Sequence, residues 1–388
     1  CGGMRISGSN SLVEGFTIRN GLTENYGGGL YLEAASTVRD CLVVSNQADG
    51  AGGIMIGSSG TLIENCSIQS NRADRFGGGV VFSRATGVVF NCIIGANVAS
   101  NYGGGVLFIG AGTVSNSWIA DNRSGRGGGV YLEDGGRLIN SIMVGNRATQ
   151  DGGGLFSVQG GYVAHCTVVS NTAGEIGGGM YHDQSEAWNS IVYYNDANFS
   201  PNIRSESSVI SNVCTTPGLG GFTFTDSPRF VKMSVRDFRL APGSPCIDAG
   251  ANRPAVGTDY LGTVRPLAGL PGSPALYDVG AYEYEPNWDA GYGSIGNGWR
   301  RLNWFGDYIP MGGQGWIWHN KHGFFYVWPD ASPENVWLFA QDMGWLWTGY
   351  AVYPFLYRAS DGAWLWYNGA TNPRWFRNMT TGQWESRP

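Results

Sequence analysis

Few residues in this chain could do acid–base chemistry, since only 14% of its 388 positions are charged. The best-placed group is Asp49 and Asp74, about one repeat of 25 residues apart, with Arg72 and Arg75 beside the second. Clustered carboxylates next to an arginine can act as acid and base in glycan hydrolysis, or as cation ligands and base in an elimination. The same four residues also read as paired charges in a solvated turn, which involves no chemistry. Glu33 and Glu133 occupy equivalent places four repeats apart, about 19 Å at the spacing of stacked strands, so they cannot act together. His319 and His322, with Asp307 and Asp342 in the same region, make a faint metal pattern that turn and packing roles explain as well. Asp248, Asp259 and Asp278 could hold a cation or anchor loops by hydrogen bonds. No metal and no cofactor is expected.

The other usable chemistry is that of flat rings. Of 15 tryptophans, all but Trp118 and Trp188 fall between Trp288 and Trp384. Residues two apart on a strand share a face, so Trp316 with Trp318, Trp345 with Trp347, and Trp364 with Trp366 should present indoles in pairs. Indole faces stack on pyranose rings, and a tryptophan cage holds cations. Against this, a module of about 90 residues needs large side chains to build a core, and most of these tryptophans are expected to fill it. The clusters Pro329-Asp330-Ala331-Ser332-Pro333 and Asn368-Gly369-Ala370-Thr371-Asn372-Pro373 read as turns, which predicts a small antiparallel module of repeated hairpins.

What positions the first group is a repeat. Glycine runs begin at Gly27, Gly52, Gly77, Gly103, Gly127, Gly152 and Gly177, a period of about 25 residues that belongs to stacked coils. Short apolar strands follow each run, as in Leu30-Tyr31-Leu32 and Val80-Val81-Phe82, and a second strand follows a small turn. Cys41, Cys66, Cys92 and Cys166 share one slot with Phe16, Ser117, Ser141 and Ser190, which reads as an inward stack of small reduced side chains. Cys214 and Cys246 lie outside the repeat and are a candidate bridge. Asparagine recurs at Asn46, Asn71, Asn97, Asn122, Asn146, Asn171 and Asn195, predicting a hydrogen-bonded ladder at a left-handed corner.

The combined pattern N-C-x-I-x-x-N-x-A-x-x-x-G-G-G resembles the right-handed parallel β-helix repeat of bacterial surface and secreted proteins, including chlamydial polymorphic membrane proteins. The resemblance covers residues 1–212 and implies the fold alone, because lyases, adhesins, tailspikes and passenger domains all use it. Ser244-Pro245-Cys246-Ile247-Asp248-Ala249-Gly250 with Asp278-Val279-Gly280-Ala281-Tyr282-Glu283 is similar to the ending of secreted β-helix proteins. Residues 213–287 accordingly read as a cap that closes the last coil and hides its strand edge. Residues 288–388, with Trp304-Phe305-Gly306 and Pro373-Arg374-Trp375-Phe376, resemble Trp-rich C-terminal domains of β-helix proteins in Verrucomicrobia-type bacteria. In style they also resemble the aromatic hairpins of choline- and glucan-binding modules, and neither resemblance implies a site. Cys1-Gly2-Gly3-Met4 aligns with Gly27-Gly28-Gly29-Leu30, so the chain is expected to start in mid-coil, with earlier coils and any export signal cut away or not included. A lipid-bearing Cys1 is the alternative.

The expected fold is therefore all-β: a parallel β-helix, an irregular cap and an antiparallel module. A net charge of -6 and a pI near 5.3 give no basic stripe for nucleic acid and no general attraction for acidic polysaccharides. No run of about 18 apolar residues could cross a membrane. The middle residue of the post-glycine strand reads Tyr31, Met55, Val81, Leu107, Tyr131, Phe156 and Tyr181, an apolar row on the outer face. It is expected to be covered by the C-terminal module, a second copy or a glycan. The preferred function is a non-enzymatic structural or adhesive protein, extracellular or on a bacterial surface. It would assemble with itself or hold extracellular polysaccharide through the row or the tryptophan pairs. The alternative is a polysaccharide lyase or glycoside hydrolase with its catalytic face on the β-helix.

Overall fold

The computed structural model describes residues 3–252, 256–269, 273–289, 292–311, 315–328, 331–371 and 373–388. Cys1, Gly2 and, in the turn clusters, Pro329, Asp330 and Asn372 lie outside the described residues. Two compact units divide the chain, Cys1–Leu267 with Leu276–Tyr284, and Ala268–Ala275 with Glu285–Pro388.

The first unit is a right-handed parallel β-helix with three sheets. Post-glycine strands, from Met4–Ile6 through Leu30–Leu32 to Ile203–Glu206, stack into a nine-stranded sheet. Each coil then gives two strands to a double-width sheet, such as Leu62–Glu64 and Ser67–Gln69, and most add a short strand to a third, such as Arg72–Phe76. Register is in step from coil to coil, with Leu30 opposite Ile54 and Val80 opposite Val106. Alternate residues therefore fill one continuous core, inside which Phe82 and Phe108 stack at 4.3 Å. Single left-handed residues turn the corners. Asn65, Asn91, Asn116, Asn140, Asn189 and Asn212 break the double-width sheet with φ of 46–54°, a conformation asparagine adopts at low cost.

The repeated asparagines form a spine within the coils. Each Nδ2 donates to the Oδ1 of the next, Asn71 to Asn97 and Asn97 to Asn122 at 3.0 Å, and also to a backbone carbonyl. Each Oδ1 accepts a second bond from the preceding asparagine's own N–H, so every amide group is used. The left-handed corner is not theirs: it belongs to the residue before, Ser45, Ser70, Ala96 or Asp121. The ladder also has one more rung than the period indicates, because Asn195 donates to Asn202 across a shortened coil. In the cysteine slot, the thiols of Cys41, Cys66 and Cys92 donate to the carbonyl two residues back at 3.2 Å. The hydroxyls of Ser117 and Ser141 do the same at 2.8 Å. From Cys41 onward the slot thus holds a small side chain with a hydrogen to donate, whereas Phe16 in the first coil is exposed and is not part of the inward stack. All six described cysteines are free, including Cys214 and Cys246, which are buried in one cluster.

The middle of the apolar row is covered by its own coils, while Tyr31, Tyr131 and Tyr181 are half-buried. The first glycine of each three-glycine run has positive φ, 68° at Gly77 and 62° at Gly103, and Ala51 takes that conformation before Gly52; a side chain at Gly77 would collide with Val81. That turn folds the residue before the run back over the row. Phe76 packs on the Met55, Val81 and Leu107 cluster, Tyr102 lies 5.0 Å from Tyr131, and Arg126 sits over Phe156. Val81 is fully buried, and Met55, Leu107 and Phe156 nearly so.

The segment after the last coil does more than close an end. It runs back along the flank of the solenoid as a strap, where Phe238, Ala281 and Tyr282 pack on Ala120, Ile142, Val144 and Val169. Asn116, Asn140, Asn189 and Asn212, the corner asparagines, donate to its carbonyls at Asp259, Thr258, Ala251 and Ala249. Arg236 forms a two-bond pair with Asp121.

The second unit is an eleven-stranded antiparallel meander from Gly293–Gly296 to Trp384–Arg387. Its inner face closes on a core of Phe305, Tyr308, Phe325, Leu338, Leu346, Leu365 and Phe376. Arg374, near the end of the meander, donates to the His322 carbonyl 52 residues earlier, so the sheet coils back on itself.

Candidate functional site

Alternation along the hairpin strands separates two chemistries. In Trp316–His319, Ile317 and His319 are buried while Trp316 and Trp318 are exposed by 43% and 40%. Gly344–Thr348 and Ala363–Tyr367 repeat this, with Leu346 and Leu365 turned inward and Trp345, Trp347, Trp364 and Trp366 outward. All three predicted pairs therefore lie on one outer face. The expectation that most tryptophans fill the core is overturned, because Ile, Leu, Val, Phe and Tyr already complete it. Phe324, Trp328, Phe355, Trp375 and Trp384 join the same exposed set. Their signal was the same alternation, read one strand further.

The rings on this face meet mostly edge to face. Trp318 and Phe324 lie 4.7 Å apart at 78°, Trp328 and Trp345 5.7 Å at 74°, and Trp347 and Trp364 5.9 Å at 83°. An edge-to-face pair leaves one ring's face open to a ligand. The Trp347 indole is held by its Nε1, which donates to Asn335 Oδ1 at 2.6 Å. The inward Arg358 and Arg374 are paired: Arg358 with exposed Asp361 and with Glu385, and Arg374 with Asp342 and the Pro388 carbonyl. The side-chain bonds from Arg358 hold Asp361 down at about 2. The face can therefore stack flat apolar surfaces, and among the described residues no outward strand position from Trp316 to Arg387 holds a carboxylate.

The histidine pair is packing. His319 Nε2 donates to the Phe305 carbonyl at 2.9 Å, and its Nδ1 accepts from the N–H groups of Lys321 and His322. His322 lies 4.2 Å from the Tyr367 ring. Burial pulls His319 down to about 4 and His322 well below its usual range. No group of three potential metal ligands occurs among the described residues.

On the β-helix, Asp49, Asp74, Arg72 and Arg75 do come together on adjacent coils and are largely exposed. Arg75 Nε contacts both Asp49 oxygens at 2.8 Å, Arg72 Nε lies 3.3 Å from Asp74 Oδ1, and Gln47 also donates to Asp74. The Arg75 bonds lower the Asp49 pKa, which suits a paired carboxylate and not a proton donor. A feature the sequence did not disclose is a groove of about 460 Å³ lined by Arg137, Tyr162, Gln184 and Glu186. Arg137 lies 4.5 Å over the Tyr162 ring, and Glu186 accepts from Trp188 Nε1.

The strap's acids anchor loops. Asp259 accepts N–H bonds from Leu261, Thr263 and Glu283, and Asp278 from Asp248 and Tyr284. Arg265 and Glu283, both fully buried side chains, lie 3.5 Å apart, and Arg265 also reaches His165 Nδ1. Burial, with Glu283 nearby, pushes Asp278 up to about 8 against the pull of its N–H donors.

Comparison with known proteins addresses the coils. Residues 2–173 match the family model of the right-handed β-helix region. Among solved structures, the crystal structure of pectate lyase Pel9A aligns at 15% identity and a TM-score of 0.45, over 72% of this chain and 70% of that one. No curated protein matches the chain. Among the described residues, no helix is long and apolar enough to cross a membrane.

Proposed function

We propose that this chain is a non-enzymatic polysaccharide-binding protein, extracellular or on a bacterial surface, whose β-helix is a scaffold and whose hairpin sheet holds the glycan. The observation that carries this reading is the exposed aromatic face, with ring faces left open by edge-to-face packing. Its rings stack on the C–H faces of pyranoses, and the lack of carboxylates at its outward strand positions from Trp316 to Arg387, among the described residues, fits retention without turnover. The Tyr31 to Tyr181 row is partly covered by its own coils, with its tyrosines half-buried, so the adhesive role is assigned here to the more open face of the second unit. The test is affinity electrophoresis of the full chain through gels containing a panel of polysaccharides, with Trp316→Ala/Trp318→Ala as the comparison. Retardation that the double variant loses is expected; mobility unaffected by every polysaccharide overturns the reading.

A polysaccharide lyase or hydrolase is the second reading. It is favoured by the groove on the β-helix flank that Arg137 and Glu186 line from either side of Tyr162. New reducing ends or unsaturated uronate absorbance, abolished by Glu186→Gln or by Asp49→Asn, would establish it.

A further inference from the structure

We infer that the ligand of the aromatic face is an uncharged polysaccharide chain lying extended across the strands, an inference that rests on the polysaccharide-binding reading. Strand register supplies the first argument. Trp337 pairs with Trp347, Trp347 with Tyr357, and Tyr357 with Trp364, while Trp328 donates its N–H to the Trp337 carbonyl. These five residues form one row perpendicular to the strands, about 19 Å long at the usual strand spacing. A track of that length exceeds one or two sugar rings and fits a run of polymer.

Charge supplies the second. From Trp316–His319 to Trp384–Arg387, no outward strand position holds a carboxylate, and Arg377 is the one cation among the described residues. A polyuronate would need several cations to offset its own repulsion. Ring geometry supplies the third: Tyr357 and Trp364 touch at 5.5 Å and 60°, and Trp347 and Trp364 at 5.9 Å and 83°. Such contacts close the gap between rings that a quaternary ammonium cage requires, yet leave outer faces for stacking.

The test is titration calorimetry of the full chain with three probes: a soluble uncharged β-glucan, a length series of its oligosaccharides, and polygalacturonate, each at low and high salt. Affinity is expected to rise about tenfold or more along the length series and to ignore salt. Trp364→Ala should weaken polymer binding about tenfold, with thermal unfolding of the variant confirming that it folds and Trp364→Phe retaining part of the affinity. Binding of polygalacturonate alone, or of a disaccharide as tightly as the polymer, overturns this inference and leaves polysaccharide binding standing. Failure to bind any polysaccharide overturns both.

Discussion

Tyr131, Phe156 and Tyr181 in the β-helix and Trp347, Tyr357 and Trp364 in the hairpin sheet are rows of similar composition whose rings pack differently. In the parallel coils the register repeats without offset, so like rings fall over like: Tyr131 to Phe156 at 5.0 Å and 13°, Phe156 to Tyr181 at 4.6 Å and 10°. Their faces are spent on one another, and the corner before the glycines covers much of what is left. In the antiparallel meander each neighbour arrives from the opposite direction on a coiled sheet, and the rings tilt. The difference teaches that strand direction and register, as well as aromatic content, decide whether such a row is core or surface.

Truncating one ring in each row tests this most directly. Phe156→Ala should cost about 3–5 kcal/mol of β-helix stability and leave polysaccharide binding intact. Trp364→Ala should lower binding and shift stability by no more than about 1 kcal/mol. Calorimetric unfolding with affinity electrophoresis reads both, and exchanged outcomes would break the comparison.

Acid should act on both regions, because each holds a buried histidine pulled down to about 4, His182 in the coils and His319 in the sheet. Neither nitrogen of His182 has a partner among the described residues, so burial sets its value. Such a group is neutral when folded at a pH where the unfolded chain is protonated. Stability is therefore lost as pH falls from about 6.5 towards 4, by about 3 kcal/mol for each site. His182→Leu should remove that site's share of the dependence from the β-helix transition alone, His165 keeping its own, as thermal scans at pH 7 and pH 4 would reveal.

The asparagine spine belongs to one region only. Asn97→Ala strands the N–H and one Nδ2 hydrogen of Asn71, at a cost of about 1–3 kcal/mol, and the melting shift should be confined to the β-helix. Smallest of all, Asp49→Asn breaks only an exposed pair, and a stability change within about 0.5 kcal/mol is expected. A larger loss in the same thermal scan would give that cluster a role that its exposure does not suggest.

Much of the first unit was legible because its signals are periodic: glycine, asparagine and cysteine slots each return once per coil. What was not legible depends on direction. That Phe76 and Tyr102 would lie over the row follows from positive φ at the glycine after each, which no hydrophobic pattern records. Asn202 escaped because its coil is shortened, and the strap because its partners, the corner asparagines, look like turn residues. In the hairpins, alternation gave the two faces but not which one met water. The general need for large core residues pointed the wrong way, although Ile317, Leu346 and Leu365 between the indoles already marked the inside.

The strap also gives the solenoid a polarity of loosening. It is bonded at Asn116, Asp121, Asn140, Asn189 and Asn212, so the later coils are fastened to something beyond their immediate neighbours. The earlier ones hold by stacking alone, as rungs in a one-dimensional array do. Amide hydrogens should therefore exchange soonest in the coils before Asn116 and latest under the strap, a gradient of protection along the axis.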